Sequence, residues 1–293
     1  MDEHTANPLS GRRIGLVGGG NLGEALIRGL LESGAVPPGA LTASDPSQAR
    51  RAHLASRYGI AVSDDNGALA RGADVLVLAV KPQVMAVALA ELAPAFRSET
   101  LVVSVAAGVR IATLEAGLAA GARPAPAGGA PTDVPPVVRV VRAMPNAAAL
   151  ALAAATALAP GGAATAADLA LARALFDAVG RTVVVPEGAI DAVTGLSGSG
   201  PAYVMLVIEA LADGGVCAGL PRDVALGLAA QTVLGAAKLQ LDTNEHPAVW
   251  KDRVTSPGGT TAAGLVELES GGVRGAFIRA VGAATARARA LGG

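Results

Sequence analysis

Gly18-Gly19-Gly20-Asn21-Leu22-Gly23 fits the pattern G-x-G-x-x-G. The apolar run before it reads as a strand, and the residues after it as a helix, which is the context a dinucleotide-binding turn requires. Gly18 allows the tight turn, Gly20 lets the backbone approach a pyrophosphate, and Gly23 lets the helix pack on the strand. The free N–H groups of the helix, opening with Asn21 and Leu22, and its positive dipole end then face the phosphates. A second strand ends at Ser44-Asp45-Pro46. An acid there bonds the ribose 2′-OH and repels a 2′-phosphate, favouring NADH over NADPH. Asp before Pro is also a good N-cap, so Asp45 reads equally well as the cap of a helix beginning at Pro46. Arg50 and Arg51 lie one turn further on, within reach of a 2′-phosphate. Val80-Lys81-Pro82 follows a central strand at its C-terminal end, where ligands of open α/β sheets bind. Taken alone, Lys81 is an exposed lysine on a turn.

Two glycine-rich segments stand in the second half, Leu196-Ser197-Gly198-Ser199-Gly200-Pro201-Ala202-Tyr203 and Thr255-Ser256-Pro257-Gly258-Gly259-Thr260-Thr261. Both have the composition of linkers, yet each runs straight into a helix. Such a turn offers several N–H groups to one point and can hold a carboxylate or a phosphate. Ser256, Thr260 and Thr261 add hydroxyls. Each segment alone reads as well as a helix-capping loop.

The elements that must position these residues follow from the apolar pattern. Strands are expected at residues 13–17, 40–44, 74–80, 101–105 and 137–141, with helices at 21–33 and after Pro46. A helix–strand pair over about 166–185 completes the series. This alternation predicts an α/β fold, an N-terminal Rossmann domain with a doubly wound, mostly parallel sheet. Residues 121–136 are Ala/Pro/Gly-rich and read as a loop insertion. Beyond Ile190 only helices are expected, at 203–212, 222–241 and 275–291. Alanine-rich helices bury little area each, so this half reads as an all-helical dimerisation domain. The domains are set at 11–187 and 188–293.

Composition removes other classes. With 23 basic and 24 acidic residues the net charge is −1, which leaves no footprint for nucleic acid. One cysteine, Cys217, allows neither a disulfide framework nor a cysteine metal site, and His4, His53 and His246 are far apart, so no metal is expected. The longest weakly polar run, 147–159, is mostly alanine and stops at Pro160; a membrane span needs about 20 strongly apolar residues, so none is expected. The polar start is unlike a signal peptide, and the expected compartment is the cytoplasm.

Together the motifs resemble one family, the pyrroline-5-carboxylate reductases. The likeness covers residues 14–291. It rests on the Gly18–Gly23 loop, Ala79-Val80-Lys81-Pro82-Gln83 and Met144-Pro145-Asn146, and most on Asp191-Ala192-Val193-Thr194 leading into Leu196–Tyr203, and on Thr255–Thr261. The resemblance implies hydride transfer from NADPH or NADH to the C=N carbon of 1-pyrroline-5-carboxylate, giving L-proline. It implies a homodimer with interlocked helical domains, and larger rings of dimers occur in the family. By the match, Ser256, Gly259 and Thr260 grip the substrate carboxylate, Thr261 bonds the ring nitrogen, and Glu187 lies near the ring. Ser44, Asn66, Val80, Lys81, Pro82, Ala107 and Pro201 join the glycine loop and Asp45 at the cofactor.

The chain departs from the family at 121–136, at Ala147-Ala148 in place of Thr-Pro, and at Ser44-Asp45 in place of the Asn-Arg of many NADPH users. The chemistry agrees with a site poor in His and Cys. An iminium accepts hydride without a strong acid or base; it needs two groups held close. Two other readings compete. A hydroxyacid dehydrogenase of similar build would use a lysine as acid/base, and Lys238 is a candidate, although a side chain snorkelling to the surface is the simpler account of it. A dinucleotide-binding sensor would not need the two glycine-rich anion loops.

Overall fold

In the computed structural model, residues 7–120 and 137–292 are described. The expected insertion at 121–136 therefore lies outside the described residues. The N-terminal region alternates strands and helices: β1 Ile14–Val17, α1 Asn21–Glu32, β2 Leu41–Ser44, α2 Gln48–Tyr58, β3 Ala61–Ser63, α3 Asn66–Gly72, β4 Val75–Leu78, α4 Met85–Leu92, β5 Leu101–Ser104 and α5 Ile111–Ala119. Beyond residue 136 come β6 Arg139–Met144, β7 Ala154–Pro160, α6 Ala166–Asp177, β8 Gly180–Val184 and the short α7 Ile190–Val193. The helices α8 Gly200–Cys217, α9 Arg222–Thr243, α10 Pro247–Arg253, α11 Thr260–Ser270 and α12 Val273–Gly292 complete the chain.

One eight-stranded sheet has the order β3-β2-β1-β4-β5-β6-β7-β8. Neighbours from β3 to β6 are parallel, with Ile14 opposite Leu41 and Val75, and Val77 opposite Val103. The strand order reverses between β2-β1 and β4, and the glycine loop after β1 lies at this switch point. β1, β4 and β5 are buried at every position, as strands covered on both faces must be. One apolar cluster gathers Leu26, Leu30, Leu54 and Phe176, and another Leu89, Leu92, Leu114 and Leu118.

β7 is a strand the apolar pattern did not reveal. It runs antiparallel to β6, with Ala143 opposite Leu158, and parallel to β8. Its sequence Ala-Ala-Thr-Ala-Leu-Ala-Pro has the propensity of a helix, because alanine is the best helix former and is depleted in strands. Pairing on both edges and burial of Ala157, Leu158 and Ala159 override that preference. β6 lies at Arg139–Met144, later than the expected 137–141. The small β3 was also missed.

The described chain packs as two compact units, one running to Gly198 and taking up Thr285 onward, the other Ser199–Ala284. Within the first, Ile190 of α7 is buried with Ala157 and Ala159 of β7. Within the second, α8 and α9 meet through the buried Ala212, Ala225 and Ala229. Much of its apolar surface is exposed, including Met205, Leu206, Leu228, Val266 and Ile278. The stretches 187–217 and 222–243 are long and apolar enough by composition to cross a membrane, each holding an 18-residue segment of mean hydropathy 1.3. This corrects the expectation that no stretch reaches that length: alanine, leucine and valine on every face, not an unbroken run of large side chains, bring the average up.

Candidate active site

The glycine loop is shaped as a cradle. Gly18 sits at φ +101°, and an added Cβ would stand 2.7 Å from the Ala79 carbonyl oxygen. A Cβ on Gly23 would stand 2.3 Å from the Gly18 carbonyl oxygen. At Gly20 a Cβ would meet nothing within 4 Å, so this backbone faces open space. Gly20 is also the N-cap of α1 and makes no side-chain cap bond, which leaves the first N–H groups of the helix for a ligand. The Gly18 N–H bonds the Ser44 carbonyl at 2.8 Å, and the Ala79 N–H bonds the Val17 carbonyl at 2.8 Å. The ends of β1, β2 and β4 thus meet at the loop. These features fit a dinucleotide pyrophosphate.

Asp45 is not the cap of the following helix. Ser47 holds that place, its hydroxyl accepting from the Arg50 N–H at 3.3 Å, and α2 begins at Gln48. Asp45 instead accepts from the Gly19 N–H at 3.0 Å and from the Ser47 N–H at 2.9 Å. It joins the end of β2 to the glycine loop. Arg50 crosses the same loop, donating to the Gly19 carbonyl and, at 3.4 Å, to the Gly20 carbonyl. It also pairs with Glu24 of α1. His53 and Tyr58 bind the other Glu24 oxygen, each at 2.9 Å. Partial burial pushes the Glu24 carboxyl up, but the bonds from His53, Arg50 and Tyr58 and the Arg50 charge outweigh it, and the group titrates at about 2. Arg51 donates to the Asp45 carbonyl at 2.7 Å and pairs with Asp64 at 3.1 Å.

Ser44 and Asn66 are brought together. The Ser44 hydroxyl is buried and donates to Asn66 Oδ1 at 2.5 Å, and Asn66 donates to Glu91 at 2.6 Å. Val80 is half-buried beside Gly18, while Lys81 and Pro82 are exposed at the start of a 3-10 turn. Ala107 is exposed after β5, next to Gly108 at φ +75°.

Glu187 has two partners in the first unit. Its Oε1 accepts from the Ile111 N–H at 2.7 Å, at the start of α5, and from Arg142 of β6 at 3.3 Å. A carboxylate suits a helix N-terminus, and the Arg142 guanidinium is almost wholly buried. Glu187 and Arg142, with Arg110, Gly108 and Asp191, line a cavity of about 90 Å³. Sequence reasoning missed Arg142, although an arginine inside an apolar strand was a signal. It also missed the Glu24 cluster, whose partners Arg50, His53 and Tyr58 share one side of α2. Asn146 has a visible structural role, since its amide donates to the Ser197 carbonyl at 3.0 Å and ties the π turn at Thr194–Gly198 to the sheet.

In the second unit, Pro201 stands in the first turn of α8. The Ser256–Gly259 turn closes through the Gly259 N–H on the Ser256 carbonyl at 3.0 Å, with Gly258 at φ +65°. Gly259 is the N-cap of α11 and has no side-chain cap, so Thr260 and Thr261 open that helix on an uncapped N-terminus. A Cβ on Gly259 would lie 2.2 Å from the Ser256 hydroxyl oxygen. Lys238 is 70% exposed at its side chain and pairs with Asp242 at 2.5 Å, one turn along α9. Its ammonium is thus exposed and paired within its own helix. Among the described residues no cluster of His, Cys, Asp and Glu could hold a metal.

Comparison with known proteins places the chain in a family. Residues 187–291 match the family model "Pyrroline-5-carboxylate reductase dimerisation", and residues 13–108 match "NADP oxidoreductase coenzyme F420-dependent". The chain is 47% identical to the pyrroline-5-carboxylate reductase of Methanosarcina acetivorans, covering 97% of this chain and 99% of that one. It is 46% identical to that of Synechocystis, covering 96% and 98%. Among solved structures, a pyrroline-5-carboxylate reductase from Coxiella burnetii matches with TM-score 0.86 and 34% identity, over 96% of this chain and 99% of that one. A pyrroline carboxylate reductase from Plasmodium falciparum with NADP bound matches with TM-score 0.80 and 28% identity, over 97% and 99%.

Proposed function

The chain belongs to the pyrroline-5-carboxylate reductase family, and from that premise we propose how its residues perform the reaction. It is an NAD(P)-dependent oxidoreductase that reduces the C=N bond of 1-pyrroline-5-carboxylate to give L-proline, in proline biosynthesis. The observation that carries the assignment to these residues is the Gly18–Gly23 cradle with its uncapped helix. Bound there, the nicotinamide dinucleotide supplies the hydride. Gly18, Gly20, Asn21, Leu22 and Gly23 hold its pyrophosphate; Ser44, Asp45, Asn66, Val80, Lys81, Pro82, Ala107 and Pro201 flank the rest.

Ser256, Gly259 and Thr260 take the substrate carboxylate on the N-terminus of α11, and the Thr261 hydroxyl orients the ring nitrogen. Glu187 stands near the ring, held by Ile111 and Arg142. The substrate arrives as the protonated imine, so the ring carbon gains one hydride, the π pair becomes the nitrogen lone pair, and no side chain must give up a proton. Thr261 is an orienting group, not a tuned acid. The exposure and pairing of Lys238 speak against the hydroxyacid reading.

NADH is the preferred donor in this reading. Asp45 closes the end of β2, and both nearby arginines are engaged by the protein. The exposed apolar faces of the helical unit meet a second copy rather than lipid, giving a cytoplasmic homodimer that can build into rings. Parallel oxidation of NADH and NADPH with pyrroline-5-carboxylate tests the whole scheme. Turnover with NADH ahead of NADPH supports it. Binding of dinucleotide without turnover of the imine would overturn it and leave the sensor reading.

A further inference from the structure

Arg50 is the one guanidinium laid across the glycine loop by the described contacts, bonded to both the Gly19 and Gly20 carbonyls. In this fold a 2′-phosphate is taken up at the end of the second strand, by an arginine near the acid that would otherwise hold the 2′-OH. Arg50 is placed to do this, but its charge is already met by Glu24. Glu24 cannot swing away freely, because His53 and Tyr58 hold its other oxygen. Both side chains of the Arg50–Glu24 pair are about a quarter exposed or less, so water screens them only in part. A 2′-phosphate arriving here meets two carboxylates, Asp45 and Glu24, while the two arginines nearby, Arg50 and Arg51, are both paired. Arg51 offers no substitute while it is bound to the Asp45 carbonyl and to Asp64.

We propose that Glu24 is a positioning residue for cofactor selectivity: it holds Arg50 on the glycine loop and so denies it to the 2′-phosphate of NADPH. This rests on the reading that the loop binds the dinucleotide. The Glu24 carboxyl, held at about 2, stays ionised across the working range and keeps its grip on Arg50.

Calorimetric binding of NADH and NADPH separates the effects from catalysis. The native chain binds NADH more tightly than NADPH. Glu24→Gln frees the guanidinium, and one charge-assisted bond to phosphate tightens NADPH by about tenfold with little change for NADH. Glu24→Gln with Arg50→Met loses that gain. Arg50→Met alone leaves the NADPH-to-NADH ratio within about twofold of native, since it removes a residue already occupied. An unchanged ratio in Glu24→Gln, a gain that survives loss of Arg50, or a native preference for NADPH would overturn the proposal. Should Glu24→Gln not fold, Arg50→Met decides: a selective loss of about tenfold for NADPH means Arg50 already serves the phosphate. Failure of the native chain to bind either dinucleotide would instead sink the reading of the loop itself.

Discussion

Thr261 carries the sharpest expectation among single residues. It opens α11 one position after the N-terminal Thr260, on a helix with no side-chain cap. If its hydroxyl orients the ring nitrogen, Thr261→Ala loses alignment, not cofactor. Turnover is then expected to fall by about 100-fold, with the NADH dissociation constant unchanged. Thr261→Ser restores most of the rate. A Thr261→Ala variant that loses NADH binding would refute the role. Glu24 makes a different prediction, on acid stability. Its folded carboxyl titrates at about 2, below the usual 4.5, because Arg50, His53 and Tyr58 favour the charged form over the cost of burial. A depressed carboxyl stabilises the fold fully above its unfolded value, and that contribution fades as pH falls from 4.5 toward 2. Glu24→Gln therefore lowers stability near neutral pH by roughly 1–3 kcal/mol and flattens the acid limb of a denaturation profile over that window. Equal loss at pH 7 and pH 2 would show that the ion pair is not the cause.

At the scale of elements, two glycines of one loop separate folding from binding. A methyl at position 23 runs into the Gly18 carbonyl, so α1 must move off β1. Gly23→Ala is expected to cost about 1–3 kcal/mol by chemical denaturation and to abolish dinucleotide binding. A methyl at position 20 meets open space. Gly20→Ala keeps the melting temperature within a few degrees, yet weakens the dinucleotide, because the added carbon stands where the backbone approaches the phosphates. Equal binding in Gly20→Ala and native protein would remove the pyrophosphate from this loop. The buried strands β1, β4 and β5 were readable as short apolar runs, within a residue or two of their ends. β7 was not, since seven residues rich in alanine carry no period and become a strand only between β6 and β8.

At the scale of the whole molecule, the described residues leave apolar side chains of the helical unit exposed. Leu206 of α8 is 66% exposed and Ile278 of α12 is 67% exposed. A homodimer burying these faces ties folding to concentration, so the melting temperature rises as protein concentration is raised. Charge at either place, Leu206→Glu or Ile278→Glu, is expected to give monomers by light scattering and to remove activity if the second copy completes the site. A fully active monomer would contradict this. Solubility without detergent separates a protein partner from a lipid one.

Local chemistry and short-range pattern were enough for much of this protein. The glycine turn between strand and helix, the parallel strands, the helical second half and the family likeness all rest on residues near each other in the chain, where spacing alone states the geometry. Lys238 was rightly read as a surface side chain for the same reason. The roles of Asp45, Glu24, Arg50 and Arg142 are different. Each depends on a partner tens of residues away: Gly19 for Asp45, His53 and Tyr58 for Glu24, Glu187 for Arg142. Asp45 could cap a helix or face a ribose by its local sequence, and the choice went to the Gly19 N–H because the sheet sets the end of β2 beside the loop after β1. A hydrogen bond acts over about 3 Å, so which side chains share one is settled by how strands and helices pack, not by their order along the chain.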